Sequence, residues 1–148
     1  MKKCLLTVAL LATVLVYARE RIEVNEKILL SFKKTFRFAE DVSWSKTKDL
    51  YQANFWQGDM TIIAKYNEEG ALVSTMRYYY EKELPVHILD RLKKKYPGEY
   101  AIIVVEVTEN DDVHYYMTLQ NDEDIYKVDS DIYGNIRQTK KYKNATSN

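Results

Sequence analysis

A chain of 148 residues has the length of one domain and can bury a substantial core. Hydrophobic residues make up 46% and charged residues 30%, which excludes a disordered chain, and a formal net charge of zero lacks the basic footprint of a nucleic-acid binder. Tyrosine is the outlier: there are 13, against 4 Gly and 2 Pro, and this ring suits pleated sheet surfaces and wet interfaces.

The N-terminus reads as a targeting segment. Lys2 and Lys3 precede an uncharged run from Cys4 to Ala18, and Val16-Tyr17-Ala18 offers small or modest residues where a signal peptidase inspects the chain. That run is shorter than the roughly 20 apolar residues of a spanning helix. Residues 1–18 are therefore expected to be a cleaved secretory signal, with Arg19 as the mature N-terminus and a periplasmic or secreted product. Cys4, the only cysteine, lies inside this segment, so the mature domain has no disulfide, thiol nucleophile or Cys-ligated metal. Losing two lysines leaves 20 basic against 22 acidic residues.

Asn25 is placed to cap a helix whose apolar stripe is Ile28, Leu29, Phe32, Phe36 and Ala39. Strand patterns follow. Val42 and Trp44 alternate with polar residues, as do Tyr51, Ala53 and Phe55, and Gln57-Gly58-Asp59 makes a turn. Met60, Ile62, Ala64 and Tyr66 alternate next, and residues 67–70 turn the chain into a strand over 71–79. Leu84-Pro85 then opens a second helix with Pro in its first turn, its stripe Ile88, Leu89, Leu92 and Tyr96 ending at Pro97-Gly98. Strands are expected at 100–109, 113–120, 124–129 and 135–143, before a polar tail over 144–148 that should fray.

The plan occurs twice. Ile28, Leu29, Phe32 and Phe36 recur sixty residues on as Ile88, Leu89, Leu92 and Tyr96. Gly70, Leu72, Thr75, Arg77 and Tyr78 recur sixty-four residues on as Gly134, Ile136, Thr139, Lys141 and Tyr142. Two copies of a helix-plus-meander unit, at about 25–80 and 84–143, are expected within one domain spanning 19–148. The fold class is α+β: one mainly antiparallel sheet of about eight strands, two helices on one face and the other face open.

At this point the chain resembles a known family. Phe32, Phe36, Ala39, Val42 and Trp44 are similar to the F-x-x-x-[FY]-x-x-A-x-x-V-x-W opening of the PepSY-like, β-lactamase-inhibitor-like proteins, and Tyr51, Phe55, Tyr66, Gly70-Ala71-Leu72 and Leu84-Pro85 follow in that family's order. The likeness covers nearly the whole mature chain. It implies an exported bacterial protein of tandem α-β units, like the β-lactamase inhibitory protein, whose open sheet face grips an enzyme. No inhibitory loop motif matches, so inhibition would be an analogy from fold.

Chemistry is sparse. The two histidines, His87 and His114, lack an evident third ligand, so no metal site is expected. Asp129-x-Asp131-x-x-Gly134 matches part of an EF-hand loop, but Tyr133 and Lys140 occupy positions that require oxygen donors, which leaves a solvated turn. Asn144-Ala145-Thr146 is a formal glycosylation sequon of little weight in a bacterial tail. With no phosphate loop, G-x-S-x-G elbow or H-E-x-x-H, no catalytic residue, enzyme activity or cofactor is expected.

The function expected is an exported, non-catalytic binding module that engages or regulates an unidentified envelope or secreted protein through the open face. The alternative is a small-ligand or glycan binder of the envelope. Nucleic acid is not an expected partner, nor is a membrane after signal cleavage. Period-two alternation nominates Trp56, Ile63, Tyr79, His114 and Tyr116 for the open face, the competing view being that such rings merely cover the sheet.

Overall fold

Asn25 starts the first helix as its residue type requires: its side-chain oxygen accepts the Ile28 N–H at 3.0 Å, satisfying one donor of the first turn. The computed structural model describes residues 22–145, so the expected signal segment, its cleavage site and Thr146 of the sequon lie outside the described residues. Helix α1 spans Glu26–Thr35 and helix α2 Val86–Lys95. Each ends on an aromatic residue whose N–H bonds back four residues at 2.8 Å, Phe36 to Phe32 and Tyr96 to Leu92. The apolar stripe of α1 therefore outlasts the helix: Phe36 is its cap and Ala39 follows in a turn. Pro85 stands just outside α2 rather than in its first turn.

The strands are β1 (Glu40–Thr47), β2 (Leu50–Gln57), β3 (Met60–Tyr66), β4 (Leu72–Tyr79), β5 (Tyr100–Glu109), β6 (Asp112–Gln120), β7 (Asp124–Asp131) and β8 (Ile136–Lys143). They form one antiparallel sheet in chain order, β1 to β8. Asn110 and Asp111, both at positive φ, make the two-residue hairpin between β5 and β6, a turn these residue types tolerate. A single 3-10 turn, Glu81–Glu83, leads from β4 into α2.

Register puts both helices on the same side. The cross-strand row Phe55, Ile62, Arg77, Glu106, Tyr115, Ser130 runs beneath them. Under α1, Ile28, Phe32 and Phe36 pack on Tyr51, Ala53, Phe55, Ile62, Ala64 and Tyr66. The Phe32 and Phe55 rings meet edge-on at 5.0 Å. Under α2, Ile88, Leu92 and Tyr96 pack on Val104, Met117, Leu119 and Val128. Each fully buried aliphatic or aromatic side chain contributes about 1.5–3 kcal/mol of transfer free energy. Trp44 is only half-buried, because β1 is an edge strand. Leu89 likewise lies at the margin of its cluster.

The two clusters meet at Met60 and are otherwise parted by a polar seam on β4 and β5. There Arg77 Nη1 reaches Glu106 Oε1 at 2.8 Å. At the C-terminus, Asn144 does not fray. Its N–H donates to the Glu123 carbonyl at 2.8 Å and its amide to the Asn121 carbonyl at 3.0 Å, and the residue is buried.

Candidate functional site

Because both helices lie on one side, the residues of opposite parity form a surface that no described element covers. Following the register across it gives one continuous row: Trp56, Thr61, Tyr78, Val105, Tyr116, Asp129, Arg137. A second row beside it runs Asn54, Ile63, Met76, Val107, His114, Asp131. Trp56 and Tyr116 are each 50% exposed. Arg137 closes the first row by gripping Asp129 through two nitrogens, at 3.2 and 2.9 Å.

Four of the five nominated residues, Trp56, Ile63, His114 and Tyr116, fall on these two rows. Tyr79 does not. It is 4% exposed and belongs to the α2 core, opposite Val104, with its hydroxyl donating to Glu106 Oε2 at 2.8 Å. Burial first, then the Glu106 carboxylate, pushes that hydroxyl well above the ordinary tyrosine range. The ring on the open face is its neighbour Tyr78, and Met76, Val105 and Val107 complete the apolar part. Met76 and Tyr78 were missed because Thr75 and Arg77 put polar residues on the covered side of β4, inverting the usual cue, and Val105 and Val107 because the apolar run 101–105 of β5 shows no alternation. The pairing of Thr75 with Ala64, which fixes this parity, is visible only in the structure.

The surface is shallow. One hollow of about 260 Å³ lies among Trp56, Thr61, Tyr78, Tyr80, Ile102 and Ile103. Another of about 190 Å³ lies among Gln52, Ile63, Lys65, Met76, Val107 and Glu109. Both fall below the roughly 300–1,000 Å³ usual for small-molecule sites. Ile102 and Ile103 are both exposed because the β5–β6 register shifts between Ala101 and Ile103. A larger, open depression of about 620 Å³ borders the rows at Arg91, Lys95, His114, Asp131, Asn135 and Arg137.

Asp131 and His87 are engaged in structure. Asp131 accepts N–H bonds from Tyr133 and Asn135 at 2.9 and 3.0 Å, and the Asn135 bonds hold its carboxyl below the usual carboxylate value. His87 bonds the Ile132 carbonyl at 2.8 Å from α2, while His114 stands on the opposite face of the sheet. Among the described residues no three His, Cys, Asp or Glu side chains gather as a metal site, and no helix is long and apolar enough to cross a membrane.

No family model and no curated protein matches this chain. Solved structures do. A BLIP-like protein from Bacteroides fragilis superposes with a TM-score of 0.62 at 13% identity, over 87% of this chain and 91% of that one. A DUF2874 family protein from Bacteroides ovatus gives 0.59 at 19%, over 83% and 89%. A Bacteroides eggerthii protein provisionally described as periplasmic gives 0.59 at 15%, over 79% and 88%. At these identities the likeness is one of fold. The chain has the BLIP-like fold: an open, eight-stranded antiparallel sheet with two helices.

Proposed function

We propose that this chain is an exported, non-catalytic binding module that engages another envelope or secreted protein through its open sheet face. The observation that carries the reading is the uncovered row in which Trp56, Tyr78 and Tyr116 stand in register across five strands. Large amphipathic rings of this kind dominate binding hot spots. Beside the rings the hollows are only 190 and 260 Å³, which favours a protein surface there, while the 620 Å³ depression at His114, Asp131 and Arg137 is the place for the small-ligand alternative. Export is supported by the signal-like residues 1–18 and by the fold neighbour provisionally described as periplasmic.

We further assign the chain to the PepSY-like group as a tandem duplication of one α-β4 unit. What supports this is equivalence in position. Ile28, Phe32 and Phe36 hold the core places that Ile88, Leu92 and Tyr96 hold sixty residues later. Gly70 and Gly134, sixty-four apart and both at positive φ, each lie against the helix of their own half.

A photo-crosslinking residue at Thr61, on the open face, tests the reading against one at Lys34, on α1. Protein adducts are expected from position 61 alone. With the adduct's partner in hand, Trp56→Ala and Tyr116→Ala should each weaken binding by about 1–2 kcal/mol or more without altering the melting curve. Unchanged affinity in both variants moves the site off this face.

A further inference from the structure

The two halves of the open face carry opposite chemistry at equivalent places. Ile63 faces Met76 across β3 and β4. Sixty-four residues further along, Lys127 faces Lys140 across β7 and β8. The neighbouring pair keeps its tyrosine and gains no charge, Thr61 with Tyr78 in one half and Ile125 with Tyr142 in the other. An apolar pair in the first half is thus matched by a cationic pair in the second.

Like charges placed directly across from each other in a sheet destabilise it. Elsewhere this end of the molecule neutralises its cations: Lys141 and Lys143 share Asp124, and Arg137 holds Asp129. Lys127 instead donates to the Thr118 hydroxyl at 2.6 Å, and neither Lys127 nor Lys140 meets a carboxylate among the described residues. Lysines on β8 alone would be explained as protection of a sheet edge. Lys127 is one strand inside that edge, where such protection has no purpose.

We propose that the partner is an acidic protein segment, its carboxylates seated on Lys127 and Lys140 and an apolar side chain on Ile63 and Met76. This rests on the binding-face reading above and gives it a partner chemistry. The pairs lie four strand spacings apart across the sheet and four residues apart along it, since the Ile63–Met76 row reaches β7 at Asp131, so roughly 23 Å separates them. An extended segment of about seven residues spans that distance diagonally, crossing the Tyr78–Val105–Tyr116 row. Glu109, Asp129 and Asp131 lie on the same face and oppose a uniformly anionic polymer or bilayer, which favours a chain with localised charge.

The test is to pan the mature chain against a random twelve-residue peptide library and measure the selected peptides by fluorescence polarisation. Enrichment of Asp or Glu about seven positions from a large apolar residue is expected. The double variant Lys127→Gln/Lys140→Gln should lower affinity about tenfold or more without lowering the melting temperature; Lys140→Gln alone serves if the double variant does not fold. Panning Lys127→Glu/Lys140→Glu should shift selection to Lys and Arg. Peptides that require Trp56 and Tyr116 but show no acidic preference and ignore both lysine variants overturn this inference and leave the binding face standing. Peptides indifferent to rings and lysines alike overturn the face itself. Lysine-dependent binding of phosphatidylglycerol vesicles, with no acidic peptide selected, overturns the protein segment in favour of a membrane surface.

Discussion

Gly70 lies against the main chain of Lys27 so closely that a β-carbon there would stand 3.1 Å from both its carbonyl carbon and its oxygen. Gly134 occupies the equivalent place under α2, where an added β-carbon would meet the side chain of Arg91. Both have positive φ, at 86° and 77°. Ala at either position incurs left-handed strain of roughly 1–3 kcal/mol. At Gly134 the obstacle is a flexible side chain that can swing away, whereas helix backbone cannot. Gly70→Ala should therefore cost more than Gly134→Ala in denaturant unfolding; equal or reversed losses would refute the close approach.

Truncating Phe32 or Leu92 to Ala removes the side chain at the centre of one core cluster, and each change should cost about 2–5 kcal/mol. The Arg77–Glu106 seam parts the clusters, so the two losses should add in the double variant. Strong non-additivity would mean that the clusters act as one core.

Tyr66 is fully buried beside Phe32 and Trp44, and its hydroxyl has no hydrogen-bond partner among the described residues. Burial pushes that hydroxyl up to about 12. Removing an unsatisfied buried hydroxyl stabilises, so Tyr66→Phe should gain about 1 kcal/mol at neutral pH. The folded value lies above the unfolded value of 10.0, so this group's contribution is complete below pH 10 and is lost as pH rises through about 12. Tyr66→Phe should lack that share of the alkaline loss in a denaturation series.

Asp124 is buried between Lys141 at 2.8 Å and Lys143 at 3.1 Å. The Lys141 bond holds its carboxyl below the usual 3.8. A depressed carboxylate stabilises the fold above its unfolded pKa, and that stabilisation disappears as pH falls through the lower folded value. Asp124→Asn should be less stable than the wild type at neutral pH and converge on it in strong acid. Its β8 amides should also exchange faster, since both lysines tie that strand to β7.

Much of this architecture was legible because it is local. Asn25 caps α1 as its type predicts, the strand bounds follow the alternation, and every hairpin falls at a turn signal or a charged pair. The site was legible where parity could be anchored on a neighbour: Trp56 and Ile63 follow from Ala53 and Ala64, and Tyr116 from Tyr115 and Met117. Tyr79 could not be reached that way. Its side is set by pairing with Val104 in the other half and by a carboxylate, Glu106, half-buried where alternation predicts an apolar residue. The Lys127–Lys140 pair was equally hidden, since cross-strand register depends on the shift between Lys127 and Val128.

Strand order equals chain order from β1 to β8, and this has a kinetic meaning. Each new strand needs only the one before it, so the sheet can lengthen from a single growing edge while the chain is still being delivered from its N-terminus, and loop-closure costs stay small at every step. Such a process has no natural stop, because each added strand presents a fresh row of unpaired amides and carbonyls. Lys140, Lys141 and Lys143 on β8 supply the stop, ending with charge a series of additions that the topology would otherwise leave open to the next molecule.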